Sequence, residues 1–563
     1  MIASLTLFIV ATTTLSLPCK AAEPTASTSI QFTDVTRETG IRFVHTDGGS
    51  GRRYIVESVA SGLATFDYDG DGDVDIYFLN GAPLPGVPAD SRRPPRNALY
   101  RNDGHWKFTD VTEKAGVGDT GYGLGVAVGD YDNDGDPDLY LNNFGPNVLY
   151  RNNGDGTFTE VTREAGVTNG NKVGAGAVFL DIDRDGDLDL FVGNYIDFTL
   201  ERHQTRVING HPAYVGPMIY GPVPSALFRN NGDGTFTDIS RESGIGALAG
   251  TAMGAVGADI DDDGDTDLVV GNDAMANFVW RNDGTGRFEE VGLLAGLAYD
   301  VHGVGQGTMG VECADFDNDG RPDFHMTSYQ KQWAILYRNQ GGGLFTDATY
   351  ATGAGAGSYA EVEWGNGLVD FDNDGDRDLF LACGHLQDNV ELWDDTAKYE
   401  AANIVLENNG RGRFTDISAR AGNGLAVKLS SRGAAFDDLD NDGDIDAVIL
   451  NARREPTLLR NDSPRTHHWV SVRLRGTRGN RDGVGARIKV VSGDLTQTDE
   501  VHAGRGYQSH FGSVPHFGLG PRTRIDRIEV RWIGGGTNVL EGPAIDRVLQ
   551  ITETPKSPTK AVP

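Results

Sequence analysis

Cysteine is nearly absent from this chain: three occur in 563 residues. A disulfide-built scaffold is therefore excluded, and the fold has to rest on a packed core. Long apolar runs are missing too. The one hydrophobic stretch, residues 5–17, is too short to span a bilayer. It lies in residues 1–22 and is followed by small residues, the pattern of a secretory signal peptide with cleavage expected after Ala21. Pro18, directly before Cys19, speaks against lipid anchoring at that cysteine. Positive charge is scarce: Lys and Arg number 49 against 81 Asp and Glu, a net charge of −32. No basic face is left to neutralise phosphates, which excludes nucleic acid as a partner. Helical periodicity is scarce as well. Short catalytic signatures are also absent: there is no G-x-S-x-G, no Walker-type sequence and no H-E-x-x-H. Gly303-Val304-Gly305-Gln306-Gly307 is not followed by a helix in a βαβ unit, so dinucleotide binding is rejected.

Glycine and aspartate are what the chain has in excess. Gly is 77 of 563 residues, about twice the usual share, which favours an all-β, turn-rich protein. The aspartates are patterned. Asp67-Tyr68-Asp69-Gly70-Asp71-Gly72-Asp73-Val74-Asp75 reads D-x-D-x-D-G-x-x-D. Carboxylates on alternate residues of a tight loop can converge on a hard cation, and Ca²⁺ takes six to eight oxygens at about 2.3–2.6 Å. The glycine permits the sharp bend. Position 7 would supply a backbone carbonyl, leaving its side chain free to vary.

Six more copies follow, at 130–138, 181–189, 259–267, 315–323, 370–378 and 438–446. The candidate metal ligands are therefore Asp67, Asp69, Asp71 and Asp75; Asp130, Asp132, Asp134 and Asp138; Asp181, Asp183, Asp185 and Asp189; Asp259, Asp261, Asp263 and Asp267; Asp315, Asp317, Asp319 and Asp323; Asp370, Asp372, Asp374 and Asp378; and Asp438, Asp440, Asp442 and Asp446. A lone copy is compatible with an ordinary acidic turn; seven copies with the same four aspartates and glycine are not. Position 12 lacks the glutamate of an EF-hand and carries apolar residues such as Phe78 and Leu141. Up to seven structural Ca²⁺ ions are expected. They would return 14 charges and leave about −18, so much of the acidity is a metal-site signature.

Each loop sits in a larger unit. A strand of small residues precedes it (Gly125-Val126-Ala127-Val128) and an apolar strand follows (Leu139-Tyr140-Leu141). A third strand (Asn147-Val148-Leu149-Tyr150-Arg151-Asn152), a turn (Asn153-Gly154-Asp155-Gly156) and a fourth strand (Phe158-Thr159-Glu160-Val161-Thr162) complete it. Loop starts run from Asp67 to Asp438 in six intervals of about 62 residues, a four-stranded blade with its loops. The seventh unit ends at its third strand, Thr457-Leu458-Leu459-Arg460-Asn461-Asp462, while an unattached fourth strand, Phe32-Thr33-Asp34-Val35-Thr36, precedes the first loop. The expectation is a seven-bladed β-propeller over residues 30–463, closed by its N-terminal strand.

After Ser463 the repeat stops. Alternating strands such as Trp469-Val470-Ser471-Val472-Arg473-Leu474 and Arg527-Ile528-Glu529-Val530-Arg531-Trp532 predict a separate, sandwich-like β-domain at 465–553. Residues 554–563 read as a disordered tail. Cys313 and Cys383 lie in successive repeats, and spacing leaves open whether they pair or remain buried thiols.

These units resemble FG-GAP/VCBS repeats, the type that builds the integrin α-subunit propeller. The segments Asn480-Arg481-Asp482-Gly483-Val484-Gly485-Ala486-Arg487, Gly504-Arg505-Gly506-Tyr507 and His516-Phe517-Gly518-Leu519-Gly520 resemble the ASPIC/UnbV domain. The combination resembles the cartilage acidic protein family, which includes secreted calcium-binding proteins. Two positions depart from the family pattern. Related sequences often carry a cysteine where this chain reads His211-Pro212-Ala213-Tyr214, and Asn-Gly-His where it reads Cys383-Gly384-His385.

Topology separates two faces. The acidic loops and the strand three to four turns share one. The long insertions, 81–96, 195–225, 296–310, 354–364 and 384–403, fall on the other, where binding is expected. His45, His203, His211, Tyr214, Tyr220, His302, Trp364, His385 and Trp393 lie there, with Glu57, Glu361 and Glu363. Two readings follow. In the favoured one the chain is a secreted adhesion or ligand-binding module for an extracellular protein or glycan, without catalysis. In the other it is an extracellular lyase or hydrolase acting on a glycan or secondary metabolite. Its candidate catalytic residues are His45, Glu57, His302 and His385 at the channel mouth, and three or more of them have to converge. Arg473, Arg475, Arg478, Arg481, Arg487 and Lys489 concentrate positive charge in the terminal domain, as a solvated or docking face or an anion site.

Overall fold

The computed structural model describes residues 30–59, 61–86 and 94–554. The expected signal peptide and almost all of the expected disordered tail lie outside these residues. Seven four-stranded antiparallel units occupy 32–461; five are separate sheets, and the second and third are joined into one eight-stranded sheet where Lys172 and Val173 pair with Gly145 and Phe144. Their first strands are Leu63–Phe66, Tyr122–Gly129, Lys172–Leu180, Ala252–Ala258, Val311–Ala314, Glu363–Val369 and Ser431–Asp437. Each packs on the next, and the last returns to the first. The result is an all-β propeller. The N-terminal strand Phe32–Asp34 completes the seventh sheet, with Phe32 opposite Asn461.

A ring of asparagines locks neighbouring blades together. Every third strand ends in a buried Asn: 102, 152, 230, 282, 339, 408 and 461. Each Nδ2 donates to the backbone carbonyl of loop position 2 in the preceding blade. Asn152 reaches Tyr68 at 2.9 Å, Asn230 Tyr131 at 2.8 Å, Asn282 Ile182 at 2.8 Å and Asn339 Ile260 at 3.0 Å. Asn408 reaches Phe316 at 3.0 Å and Asn461 Phe371 at 2.7 Å. Asn102 closes the cycle on Leu439 at 2.7 Å. Seven identical polar contacts therefore meet end to end, and a buried carbonyl at each junction is satisfied.

The terminal domain has two sheets. One pairs His468–Arg475 with His516–Gly520 and, in parallel, with Val548–Thr552. The other holds four antiparallel strands between Arg487 and Glu541. It packs directly on the propeller. Its apolar residues Val472, Ile488 and Phe517 belong to one core with Ala127, Phe179 and Leu190 of blades two and three. Cys313 and Cys383 are separate buried thiols.

Candidate functional site

Each acidic loop is set by its backbone. The glycine at position 6 is left-handed in all seven, with φ from 87° at Gly320 to 107° at Gly135, a conformation that a Cβ disfavours. Position 4 is left-handed too, and four copies place Asn there, at 133, 318, 373 and 441, the residue that tolerates it best after glycine. In the second loop, position 1 accepts from two amides, Asp134 N to Asp130 Oδ1 at 3.0 Å and Gly135 N to Oδ2 at 2.7 Å. Position 9 uses both oxygens to clamp strands: Asp138 accepts from Tyr131 N at 3.1 Å and Asn152 N at 2.7 Å.

Position 3 is different. The Oδ1 atoms of Asp132, Asp183, Asp261, Asp317 and Asp440 are buried with no hydrogen-bond donor. In the first loop the atom in that condition is Asp67 Oδ1. Carboxylate oxygens of triads such as Asp130, Asp132 and Asp138, or Asp315, Asp317 and Asp323, lie within 4.8 Å of one another. Burial lifts the Asp75 and Asp130 carboxyls to about 8 and that of Asp181 to about 7. This oxygen-only donor set, missing its counter-charge, fits a hard divalent cation.

Position 7 departs from expectation, because its side chain is engaged. Asp187 accepts from Asn133 Nδ2 at 2.9 Å, Asp376 from Asn318 at 3.2 Å and Asp444 from Asn373 at 2.8 Å. Each donor is position 4 of the preceding loop, so the loops brace one another around the face.

The terminal domain sits on this face and engages the loops. Arg473 Nη1 is 3.3 Å from Asp67, Asp130 N donates to Asp482 at 2.8 Å, and Arg531 Nη2 is 2.6 Å from Asp259. Arg487 meets Asp262 at 2.7 Å. In the sixth blade, Arg377 pairs with Asp499 at 2.6 Å and His516 Nε2 meets Asn373 Oδ1 at 2.6 Å. Of the two readings of the terminal arginines, docking is the one that Arg473 and Arg487 fulfil.

From that seat, residues 502–511, all buried, run into the ring. They touch the first strand of every blade. His510 pairs with Leu63 and Thr65, Gln508 O accepts from Val126 N, and Ala503 O accepts from Phe179 N. His502 Nδ1 is 2.8 Å from Gly257 O, and Gly506 exchanges two backbone bonds with Val311. Tyr507 packs edge-on to Trp364 at 5.1 Å and Phe511 to Phe436 at 5.1 Å. The small residues of the first strands answer to this plug: a Cβ on Gly62 would lie 1.8 Å from Gln508 O.

The opposite face gathers the insertions around two cavities. One, of about 660 Å³, is lined by His45, Asp47, Arg53, Glu57, Tyr214 and Arg453, among others. Arg453 bridges Asp47 and Asp388 and donates to Tyr214 Oη at 3.1 Å; Tyr214 in turn donates to Glu57 at 3.1 Å. Burial, then Arg432 and Arg453, lowers His45 to about 3. Its Nδ1 accepts from Arg453 N at 3.2 Å. His385 is buried behind this wall, lowered to about 4 by burial and then Arg432, and accepts from Gln387 N at 2.9 Å. His302 is exposed on another loop, where its amide bonds Asp300. Thus His45 and Glu57 share a cavity, whereas His302 and His385 line none with them. The other candidates scatter. His203 meets Arg52 O at 2.9 Å, His211 stacks near Trp393, and Tyr220 accepts from Gln204 N. Glu363 accepts from Ser328 N, Trp364 donates to Gly384 O, and burial raises Glu361.

Comparison with known proteins agrees with this architecture. The FG-GAP-like repeat model matches residues 67–141, 134–192, 218–270, 259–326, 315–381 and 370–449, and the ASPIC and UnbV model matches 476–558. The chain is 29% identical to human cartilage acidic protein 1 over 528 residues, 87% of this chain and 71% of that protein. It is 28% identical to the Xenopus tropicalis protein of the same name over 58% of this chain, spanning about half (48%) of that relative's length. A lectin of Agrocybe aegerita that recognises non-reducing terminal N-acetylglucosamine aligns at 17% identity and a TM-score of 0.39, over 71% of this chain and 94% of its own.

Proposed function

The chain belongs to the FG-GAP-like repeat proteins, and from that premise we propose that it is a secreted, calcium-braced ligand-binding module. Its seven acidic loops take Ca²⁺, and its ligand face is the opposite one. The observation that carries calcium is the buried position-3 oxygen without a donor in five loops. An unsatisfied buried carboxylate is costly, and a hard cation would satisfy all the loops in the same way. Calcium here is structural: it offsets repulsion among four carboxylates and fixes the first hairpin of each blade. Extracellular modules bind it at about 10⁻⁴–10⁻³ M, adequate outside a cell.

The partner is an extracellular protein or glycan bound in the manner of an adhesion module. The terminal domain covers the loop face, leaving a cavity of about 420 Å³ between Asp67, Arg473 and His510, while the insertion face keeps two open cavities. No helix among the described residues is long and apolar enough to cross a membrane. Metal analysis of the purified protein and a glycan-array screen, with and without calcium, test the reading. Finding no bound calcium, together with no array ligand in its presence, refutes it.

A further inference from the structure

The second cavity on the insertion face, of about 240 Å³, opens at the channel mouth. Tyr195, Tyr329, Met253, Met309 and Trp364 wall it. Among the described residues that line it, Asp273 is the one acid and Arg206 the one base. Arg206 is exposed and forms no ion pair with Asp273; its charge is felt at Tyr329 instead.

Asp273 is rigidly placed. Its amide donates to Thr251 O at 3.0 Å, its carbonyl accepts from Thr251 Oγ1 at 2.6 Å, and its backbone bridges to Gly307. Oδ2 accepts the Tyr195 hydroxyl at 2.6 Å. Oδ1 receives no donor from the described residues, and a Cβ on Gly307 would sit 3.3 Å from it. Burial raises this carboxyl to about 6, and the Tyr195 hydroxyl offsets only part of that. Charges withdrawn from water are normally paired. Asp273 is half-buried and faces the cavity without an ion pair of its own.

The fold already seats a cation against an aromatic ring at this wall. Arg432 lies 4.0 Å over Trp364, fully buried, held by the carbonyls of Ser58, Gly384 and Ser431 rather than by a carboxylate. Trp364 is thereby committed, and so is Tyr214, whose ring centroid lies 5.1 Å from the Arg53 guanidinium, which leaves Tyr195 and Tyr329, among the described residues, as aromatic walls with no cation stacked on them. Such rings attract a cation by their quadrupole, most strongly where water is excluded.

We propose that this cavity binds an organic cation, with Asp273 as its counter-ion and Tyr195 and Tyr329 as its walls. The occupant is a small amine or quaternary ammonium, or the end of a basic side chain on a protein ligand. The proposal rests on the reading of the insertion face as the ligand face.

Titration calorimetry of the full chain in calcium tests it with three probes: choline, its uncharged isostere 3,3-dimethylbutanol, and N-acetyl-arginine amide. Choline or the arginine amide binding at least tenfold tighter than the isostere is expected, and which of the two binds tells the free amine from the side chain. Asp273→Asn keeps the shape and the Tyr195 contact and is expected to lose at least tenfold in affinity with an undiminished melting temperature. Tyr329→Ala is expected to lose severalfold. Equal binding of the isostere, an unaffected Asp273→Asn variant, or no binding by either cation overturns the proposal. An array ligand that binds the insertion face and ignores Asp273→Asn would overturn it while leaving the ligand-face reading intact.

Discussion

Arg505→Met should unseat the plug, by an amount that depends on pH. Arg505 reaches Glu312 in the first strand of blade five through Nε at 3.2 Å and through Nη2, which also donates to Cys313 O at 2.9 Å. Glu312 is 0% exposed, and burial lifts it to about 7 even against the guanidinium. Without Arg505, Glu312 has to stay protonated to remain buried. At pH 7.5, three units above its ordinary 4.5, that costs roughly 4 kcal/mol at 1.36 kcal/mol per unit, of which the wild type, titrating at about 7, already bears roughly 3. Arg505→Met therefore adds a pH-dependent cost of roughly 1 kcal/mol at pH 7.5, on top of the lost hydrogen bonds to Glu312 and Cys313 O. At pH 5.5 both proteins hold Glu312 protonated and the pH-dependent cost vanishes. The sign follows from linkage: a carboxyl with a raised folded pKa favours the folded state below its unfolded pKa, and that advantage is lost as pH rises. Hydrogen exchange of the 502–511 amides reads the seat directly. Relative to wild type at the same pH, the fall in protection should be about fourfold larger at pH 7.5 than at pH 5.5. Adding Glu312→Gln should remove most of the pH dependence. Wild-type protection in Arg505→Met, or a double variant no better than the single, would refute the reasoning.

Four further outcomes are expected. Chelation should lower the melting temperature, since each site at one hundred times its Kd contributes about 2.7 kcal/mol; an unchanged melting curve in EDTA contradicts structural calcium. Asn152→Ala should cost about 2–3 kcal/mol in denaturant unfolding, because it strips donors from two carbonyls, Tyr68 O and Pro137 O; a cost under about 0.5 kcal/mol would deny the blade lock. Gly443→Ala should release the terminal domain, because its Cβ would lie 2.0 Å from Trp469 Nε1 at a left-handed φ of 91°. Faster exchange in 468–475, with blades one to five unchanged, is the expected pattern, and protection equal to wild type speaks against it. Asp273→Asn should weaken choline or arginine-amide binding at least tenfold without lowering stability, read by calorimetry as above.

The repeat, the closing strand and the acidic loops could be read from the chain because each is local and periodic. The asparagine lock could have been read as well: the same residue ends all seven third strands. A polar residue at a strand end passes for turn chemistry, and only the ring supplies its partner one blade away. The role of the position-7 carboxylate is hidden for a related reason. One loop alone assigns that position a carbonyl, whereas its carboxylate answers the loop beside it. The plug carries the Gly504-Arg505-Gly506-Tyr507 resemblance but no pattern that places it inside the ring. His502-Ala503-Gly504-Arg505-Gly506-Tyr507-Gln508 has the composition of an exposed loop, and its burial is created entirely by the surrounding strands. Gly62 and Gly254 did signal crowding, but part of what crowds them arrives from about 250 to 450 residues later.

The two faces are therefore not independent, although topology puts them on opposite sides. The terminal domain is held through the loops: Arg531 reads Asp259, Asp482 reads the amide of Asp130, and His516 reads Asn373. Those partners keep their positions only while the loops keep their shape. The same domain supplies Tyr507, whose hydroxyl donates to Val59 O at 2.8 Å and whose ring supports Trp364, both wall residues of the cavity that holds Asp273. A rigid chain of contacts thus runs from the acidic loops through the terminal domain and the plug to the back of the cavity. Coupling of this kind needs an element with two arrangements, not proximity alone. The plug is that element only if Arg505→Met unseats it while the blades stay folded, which hydrogen exchange of 502–511 reads. If it does, whatever loosens the loops is felt at the channel mouth, and a ligand that tightens the wall around Trp364 tightens the seat by the same free energy.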